Sequence, residues 1–535
     1  MICLRAPRAA AVLLLCVRAA GAQVLRVSDT SRALPDPIVV GSPQDDRLRT
    51  AQLLGAKQSS MSLIRAASHA ATDTSRASRV LVWKWARPHG ELTWNSTIPF
   101  SLNDGAQWAG RGLTFAVSGG IQGTLGPTGF VFVPQLWRAE NLPFPILPGA
   151  DPGRSAFASP FHKGFISADL PVRFGRASTT VLDVGESAAW ITRRPVTLGI
   201  SNESQWWGPG IRNALLLSNN AGGFPHVFLR TATPLETPVG EIEAKWIIGG
   251  LTESRFFDSD SLNDTRSLSG AVVTLRPAAY PNLTAGLARV VYAPISGVLS
   301  LPARSFDVFF RWSSPNVRAA TQGRAAEQLV SFFGRLLLPN SSAELYGEWG
   351  RMLLPTSLRD LLLAPQFTQG FTIGTQWLPK ISERSRLRIQ IEMTNLEQSA
   401  KSPSADTLSF YTSSVVAQGY THRGQVIGAA IGPGASSQWL AFDVLRGDHA
   451  VGVFAGRIRW DTDAYYQQPP PLVNLSYDAS LFGGMRANLR ALNREIGVEL
   501  TAQRRFNYLF QNSLYGYSSD NAFDKKNTTV KLRVY

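Results

Sequence analysis

The sequence predicts a mainly β protein: one closed antiparallel β-barrel preceded by a small α-helical region. Three observations carry this. From about Gly90 onward apolar and polar residues alternate with a period of two. Clusters of Gly, Pro, Asn and Ser, such as 277–282 and 258–264, separate the alternating runs. No helical period of any length comes between those runs, which argues against a parallel α/β sheet. A long series of antiparallel strands has to protect its edges, and closure into a barrel does so.

The chain has 535 residues. Residues 1–22 read as a signal peptide: Arg5 and Arg8, an apolar run from Ala9 to Val17, and Ala20-Gly21-Ala22 before Gln23. The only cysteines, Cys3 and Cys16, lie in this leader, so the exported chain has no disulfide, thiolate metal site or cysteine nucleophile. Removing Arg5, Arg8 and Arg18 with the leader takes the formal charge from +15 to +12. An exported basic protein meets acidic polysaccharide or lipid phosphate more readily than nucleic acid, which is not expected as a partner.

Residues 23–88 form the predicted helical region, with residues 89–535 as the barrel and its loops. Ser42-Pro43-Gln44-Asp45 is a helix start, with a capping hydroxyl, Pro at the first helical position, and Asp45 and Asp46 near the positive dipole end. That helix is expected to stop at Gly55. Met61, Ile64 and Ser68 recur at helical spacing and predict a second helix over 59–71. Among the strands, 387–394 is the clearest, with Leu387, Ile389, Ile391 and Met393 opposite Arg388, Gln390, Glu392 and Thr394. In 239–248 Ile242, Ala244, Trp246 and Ile248 oppose Glu241, Glu243 and Lys245. In 343–350 Leu345 and Trp349 oppose Glu344, Tyr346 and Glu348. Further strands are predicted at 113–125, 129–137, 267–276, 283–293, 304–312, 326–338, 368–377, 438–446, 451–460, 479–490, 494–506 and 528–535.

No apolar run after the leader approaches the ~18 residues of a membrane helix. A membrane barrel is compatible with this, because its strands alternate. Three features favour one. The polar faces carry many charges, as a wet lumen tolerates. Aromatics are frequent near strand ends, with 14 Trp and 27 Phe in the chain. The chain also ends on a strand with a terminal aromatic, Tyr535, although Tyr535 is out of phase with Val530, Leu532 and Val534.

Catalytic signatures are missing. There is no H-E-x-x-H, G-x-S-x-G or P-loop, and His69, His89, His162, His226, His422 and His449 have no metal-ligand spacing. No metal or cofactor is expected. The carboxylate pairs Glu344/Glu348 and Glu241/Glu243 have the composition of a glycosidase pair, but same-face acids in a lumen are more often solvated or ion-paired.

The most distinctive stretch is 201–226. Trp206 and Trp207 run into Gly208-Pro209-Gly210, an apolar triplet Leu215–Leu217 follows, and Ser218-Asn219-Asn220 precedes a second Gly/Pro break ending at His226. Such a segment is a structured loop. In one reading the Trp rings stack on sugar while Gln205, Asn219, Asn220 and His226 bond its hydroxyls. In the other, the Trp pair wedges the loop into the barrel and the amides cap turns. A second loop, 418–434, sets Tyr420, His422 and Arg423 between glycines, to contact an anionic chain or to form a polar hairpin.

Gln205-Trp-Trp-Gly-Pro-Gly210, Leu216-Leu-Ser-Asn-Asn-Ala221 and Phe224-Pro-His226 closely resemble the capsule assembly Wzi family. So do Gly419-Tyr-Thr-His-Arg-Gly424, Ile431-Gly-Pro433 and Glu344-Leu-Tyr-Gly-Glu-Trp349. The resemblance implies an outer-membrane β-barrel of about 18 strands with a small periplasmic helical bundle, and a non-enzymatic, lectin-like role in holding capsular or other surface polysaccharide. Trp206, Trp207, Asn219, Asn220, His226, Tyr420, His422 and Arg423 are the candidate polysaccharide-binding residues. The expected partners are an acidic surface polysaccharide, outer-membrane lipid and the barrel assembly machinery. A porin or small-solute channel is the alternative.

Overall fold

The computed structural model describes residues 36–56, 62–68, 81–147, 154–161, 168–258, 264–311, 326–352, 354, 357–363, 366–398, 408–467, 476–491, 494–512 and 522–535. The leader, His69 and His162 lie outside them.

Its strands close into one antiparallel barrel of 18 staves, four of which are each built from two segments in line. In chain order they are β1 (Val82–Asn95), β2 (Gly112–Leu125), β3 (Thr128–Phe132 with Gln135–Ala139), β4 (Thr179–Asp183 with Ala188–Arg193), β5 (Val196–Ser201) and β6 (His226–Thr231 with Leu235–Thr237). There follow β7 (Gly240–Thr252), β8 (Thr265–Pro277), β9 (Leu283–Pro294), β10 (Glu327–Leu338), β11 (Ala343–Arg351) and β12 (Gln369–Trp377 with Lys380–Ser382). The last are β13 (Ser385–Asn395), β14 (Ser436–Arg446), β15 (His449–Arg459), β16 (Ala479–Ala491), β17 (Arg494–Phe506) and β18 (Lys525–Val534). Closure comes from β1 pairing with β18, where Gly90 faces Val534 and Asn95 faces Thr529. β1 starts at Val82, ahead of the boundary read at 88.

Alternation sorts the residues as the sequence indicated. Leu345, Ile373, Ile391, Val451 and Met485 are exposed on the outer wall, while Glu344, Arg388, Gln390 and Glu392 are buried inside. Every link at one rim is short, such as 126–127, 194–195 and 447–448, whereas the other rim carries all the long loops. In outer-membrane barrels the short turns are periplasmic and the long loops extracellular. Tyr535 is out of phase because it turns inward, where its ring stacks on His89 with centroids 4.8 Å apart.

One further prediction holds and two are corrected. The expected first helix is there as α1 (Pro43–Leu53), with Ser42 Oγ accepting from the Asp45 N–H at 3.3 Å. The expected second helix is not: among the described residues of 59–71, Ile64 and Arg65 are extended and pair with Trp207 and Trp206. The 304–312 strand is instead two short helical turns, Leu301–Arg304 and Asp307–Phe310. Its alternating Phe306, Val308 and Phe310, with Ser305, Asp307 and Arg311 beside them, mimicked a strand, but Phe306 and Phe310 are exposed while Val308 is buried.

The core lies in the lumen. Leu63, Ile64, Trp207, Leu215–Leu217, Phe224, Tyr411, Tyr420 and Ile427 pack there against the wall residues Phe228, Ile247, Tyr292, Leu329 and Phe333. Two long-rim loop segments, 202–225 and 408–435, therefore fold inward, and the described residues 36–56 and 62–68 meet them from the short-turn side.

Candidate functional site

The inward loops are held by polar groups of the wall. On β13 the Glu392 carboxylate accepts from the backbone N–H groups of Ile211, Arg212 and Asn213 at 2.6, 3.0 and 2.9 Å, and from the Tyr346 hydroxyl at 2.8 Å. On β11 Glu348 accepts from the Leu215 N–H at 3.1 Å. It also lies beneath Gly208, whose φ of +114° and whose clearance of 2.9 Å from that carboxylate leave no room for a side chain. The two loops are stitched together. Tyr411 and Tyr420 donate their hydroxyls to the Leu215 and Leu216 carbonyls at 2.7 and 2.8 Å. The Asn220 amide donates to the Val426 carbonyl at 2.8 Å.

From the short-turn side α1 is clamped to separate staves. Arg49 donates to Glu344 of β11 at 2.7 Å, and that acid also pairs with Arg335 of β10 at 2.6 Å. Arg47 pairs with Glu495 of β17, and Asp46 with Arg388 of β13. Glu344 and Glu348 are thus anchors of the lumenal plug. Glu241 of the other predicted carboxylate pair makes an ion pair with Arg276.

Above the plug, at the long-loop rim, a cleft of about 470 Å³ remains open. Trp108, Trp137, Phe174 and Phe256 line it, together with Glu253, Arg255, Arg423 and Gln425. The Trp108 and Phe174 rings lie 4.8 Å apart, and Phe174 meets Phe256 edge-on at 5.8 Å. The guanidinium of Arg255 rests over the Phe256 ring at 4.9 Å. The Phe174 segment is fixed by Asn141, whose amide donates to the carbonyls of Phe174, Gly175 and Ala177 at 3.0, 3.0 and 2.9 Å. Trp137 is buried on the inner row of β3, and its indole N–H has no partner within the protein.

Charge in the cleft is mixed. Arg423, its side chain 48 % exposed, pairs with the buried Asp183. Burial pushes the Glu253 carboxyl up to about 7, despite a hydrogen bond from Gln418. Beneath it burial pushes Asp169 up to about 6, where it accepts from Ser254 N–H and Oγ at 2.6 and 2.5 Å. Among the described residues no group of three or more His, Cys, Asp or Glu is placed to hold a metal ion.

The sequence profile of the family described as capsule assembly protein Wzi matches residues 191–496, more than half of the chain. The chain belongs to the Wzi capsule assembly family. The solved Wzi of Escherichia coli, described as a carbohydrate-binding β-barrel of group 1 capsule assembly, is 11 % identical, with 83 % of each chain covered and a TM-score of 0.52. OccK2 (OpdF) of Pseudomonas aeruginosa with glucuronate is 10 % identical over 84 % of this chain and 96 % of that one, with a TM-score of 0.38. OccAB2 of Acinetobacter baumannii is 11 % identical over 84 % and 98 %, also with a TM-score of 0.38. No curated protein matches the sequence. Family and fold together place this Wzi-family barrel in the bacterial outer membrane.

In this Wzi-family chain most of the predicted binding residues belong to the plug. Trp206 and Trp207 are 2 % and 0 % exposed, so neither ring offers a free face as the fold stands. Arg65 covers Trp206 at 4.9 Å, and Ile64 pairs with Trp207. Asn220, His226, Tyr420 and His422 are likewise buried. His422 Nδ1 accepts the Thr252 N–H at 3.1 Å, and His226 Nδ1 contacts the Phe224 carbonyl at 2.8 Å. Asn219 is half-buried, and its amide donates to the Val40 carbonyl at 3.1 Å. Arg423 alone of the set reaches the rim cleft. Sequence reasoning missed Trp108, Trp137, Phe174, Glu253 and Arg255. The available signal was the glycine-bracketed Gly105-Ala-Gln-Trp-Ala-Gly110, the same pairing of aromatic and turn that drew attention to 206–210.

Proposed function

We propose that this outer-membrane barrel is a non-enzymatic, lectin-like protein that holds capsular or other surface polysaccharide in the cleft at its extracellular rim. The observation that carries the reading is the grouping of Trp108, Phe174 and Phe256 with Arg255, Arg423 and Glu253 in one outward-opening cleft. Flat aromatic faces pack against the C–H faces of sugar rings, and the polar groups around them bond hydroxyls and carboxylates. The exposed guanidinium of Arg423, although paired with Asp183, and that of Arg255, beside a Glu253 carboxyl that burial raises to about 7, favour an acidic glycan. Of the eight residues singled out in the sequence, Arg423 is proposed as a direct contact. Trp206, Trp207, Asn219, Asn220, His226, Tyr420 and His422 are proposed to hold the plug on which the cleft rests. We also propose that the N-terminal segment works as a periplasmic-side plug and that the C-terminal strand engages the barrel assembly machinery.

Retention of acidic polysaccharide by the refolded protein tests the reading. Binding is expected at low salt and should weaken as salt screens the arginines. No retention of any acidic glycan at low salt would overturn it. A channel role conflicts with the plugged lumen, and planar bilayers separate the two: a steady open conductance would favour the channel.

A further inference from the structure

The two short helical turns that replaced the predicted 304–312 strand belong to the long loop between β9 and β10, and they fold down over the outside of the barrel. On β7–β10 the cross-strand row Trp246–Ala271–Arg289–Val330 faces outward. This is the same side as the exposed Val273, Leu287 and Phe332. Arg289 lies six residues above Leu283, the first residue of β9. At ~3.3 Å per residue and a tilt of ~40°, that is roughly 15 Å above the short-turn rim, inside an apolar band ~25 Å tall. A bare arginine on the lipid face near the bilayer centre is strongly disfavoured.

Here it is not bare. Arg289 donates to the Val308 carbonyl and to Gln328 Oε1, each at 2.7 Å, and also to the Arg311 carbonyl. Ser269, on the same outer face, donates to the Ser305 carbonyl at 2.8 Å and accepts from the Val308 N–H at 3.3 Å. The Trp246 indole donates to that same Ser305 carbonyl at 2.9 Å, and its ring stacks on Phe306 at 5.7 Å and 14°. Polar groups of the wall and backbone groups of the flap therefore satisfy one another, Ile295 and Val308 are buried, Arg304 and Arg311 pair with Asp307 within the flap, and five apolar side chains point away. Leu299 is 98 % and Phe310 80 % exposed, with Val298, Phe306 and Phe309 also exposed beside them.

We infer that residues 295–311 form a membrane-embedded flap that seals a polar notch in the outer wall and presents Leu299, Phe306, Phe309 and Phe310 to the acyl chains of the outer leaflet. Acyl chains are the fitting occupant because the flap's apolar face is continuous with the lipid-facing rows of β8–β10 and stands at their height. The inference is independent of the glycan reading. Cys3 and Cys16 are the only cysteines, so with both changed to serine one introduced cysteine carries a polarity-sensitive fluorophore without ambiguity. Leu299→Cys and Phe310→Cys are compared in phospholipid vesicles with Ile391→Cys on the lipid-facing wall and Glu383→Cys at the short-turn rim. The expected result is blue-shifted emission, quenching by spin-labelled lipid as strong as at Ile391→Cys, and loss of the iodide quenching seen at Glu383→Cys. Iodide quenching equal to that at Glu383→Cys would overturn the inference. So would shielding from both quenchers, which would mean that protein covers the flap.

Discussion

The lumenal plug and the rim cleft are built from the same materials, Trp, Phe, Arg and carboxylate, and they use them in opposite ways. In the plug the carboxylate and phenol groups are turned onto the protein's own backbone: Glu392 takes three backbone N–H groups, Trp207 is sealed, and Tyr411 and Tyr420 clamp the Leu215–Leu217 run. In the cleft the rings of Trp108 and Phe174 border open space. A dense motif therefore marks where the chain must fold back on itself. The accessible chemistry sits in plainer sequence that the plug supports from below.

The sharpest way to break this contrast is to damage the plug. Trp207→Ala empties a fully buried site and should cost about 3–5 kcal/mol. It should lower the temperature at which the barrel loses its compact electrophoretic form and weaken glycan retention only as a consequence. Glu392→Ala strips the acceptor from three backbone donors, of which the buried Asn213 N–H costs about 1–3 kcal/mol when left unmade and the part-buried Ile211 and Arg212 N–H groups less. It should release 211–213 and raise bilayer conductance. If either variant keeps full stability, the plug is not the structural element it is taken to be here.

Smaller effects belong to the cleft. Arg423→Gln removes a half-exposed guanidinium, so it should weaken acidic-glycan retention about threefold to tenfold and flatten its salt dependence. Loss of neutral-glycan binding to the same degree would contradict an electrostatic role. The smallest expected effect is on pH. Since Glu253 has its carboxyl raised to about 7, it is neutral below that pH and anionic above it. Retention of an acidic glycan should therefore rise as pH falls through 7, and stability should follow the same sign, because a carboxyl whose folded pKa is raised weakens the fold once it ionises. Titrating binding for wild type and Glu253→Gln checks this, with the variant expected to lose the dependence.

Much of the fold was legible because each stave alternates. The 387–394 run places Ile391 outside and Arg388 inside just as its period of two requires, and Ser42-Pro43 starts α1. Segments whose environment is set by distant chain were not legible. Ile64 sits at helical spacing from Met61 and Ser68 in sequence, but pairing with Trp206-Trp207 holds Ile64 and Arg65 extended. Phe306, Val308 and Phe310 alternate like a strand, yet they belong to a flap that buries Val308 and leaves Phe306 and Phe310 exposed. The plug was visible as a motif, but its burial depended on Glu392 and Glu348, more than a hundred residues away in sequence. The cleft was hardly visible, because Trp108, Trp137, Phe174 and Glu253 come from four separate segments that only barrel closure brings together.

The central claim, that glycan is held at the rim and not in the plug, is tested most directly by acidic-polysaccharide retention at low salt for the double variant Trp108→Ala/Phe174→Ala. Aromatic stacking contributes ~0.5–1.5 kcal/mol per pair beyond area, so retention should fall about tenfold or more. Because Trp108 is buried in a small cluster with Trp137 and Phe144, some thermal stability is lost too, and retention is compared on the fraction that keeps its compact electrophoretic form. Unchanged retention by a folded double variant would contradict the account.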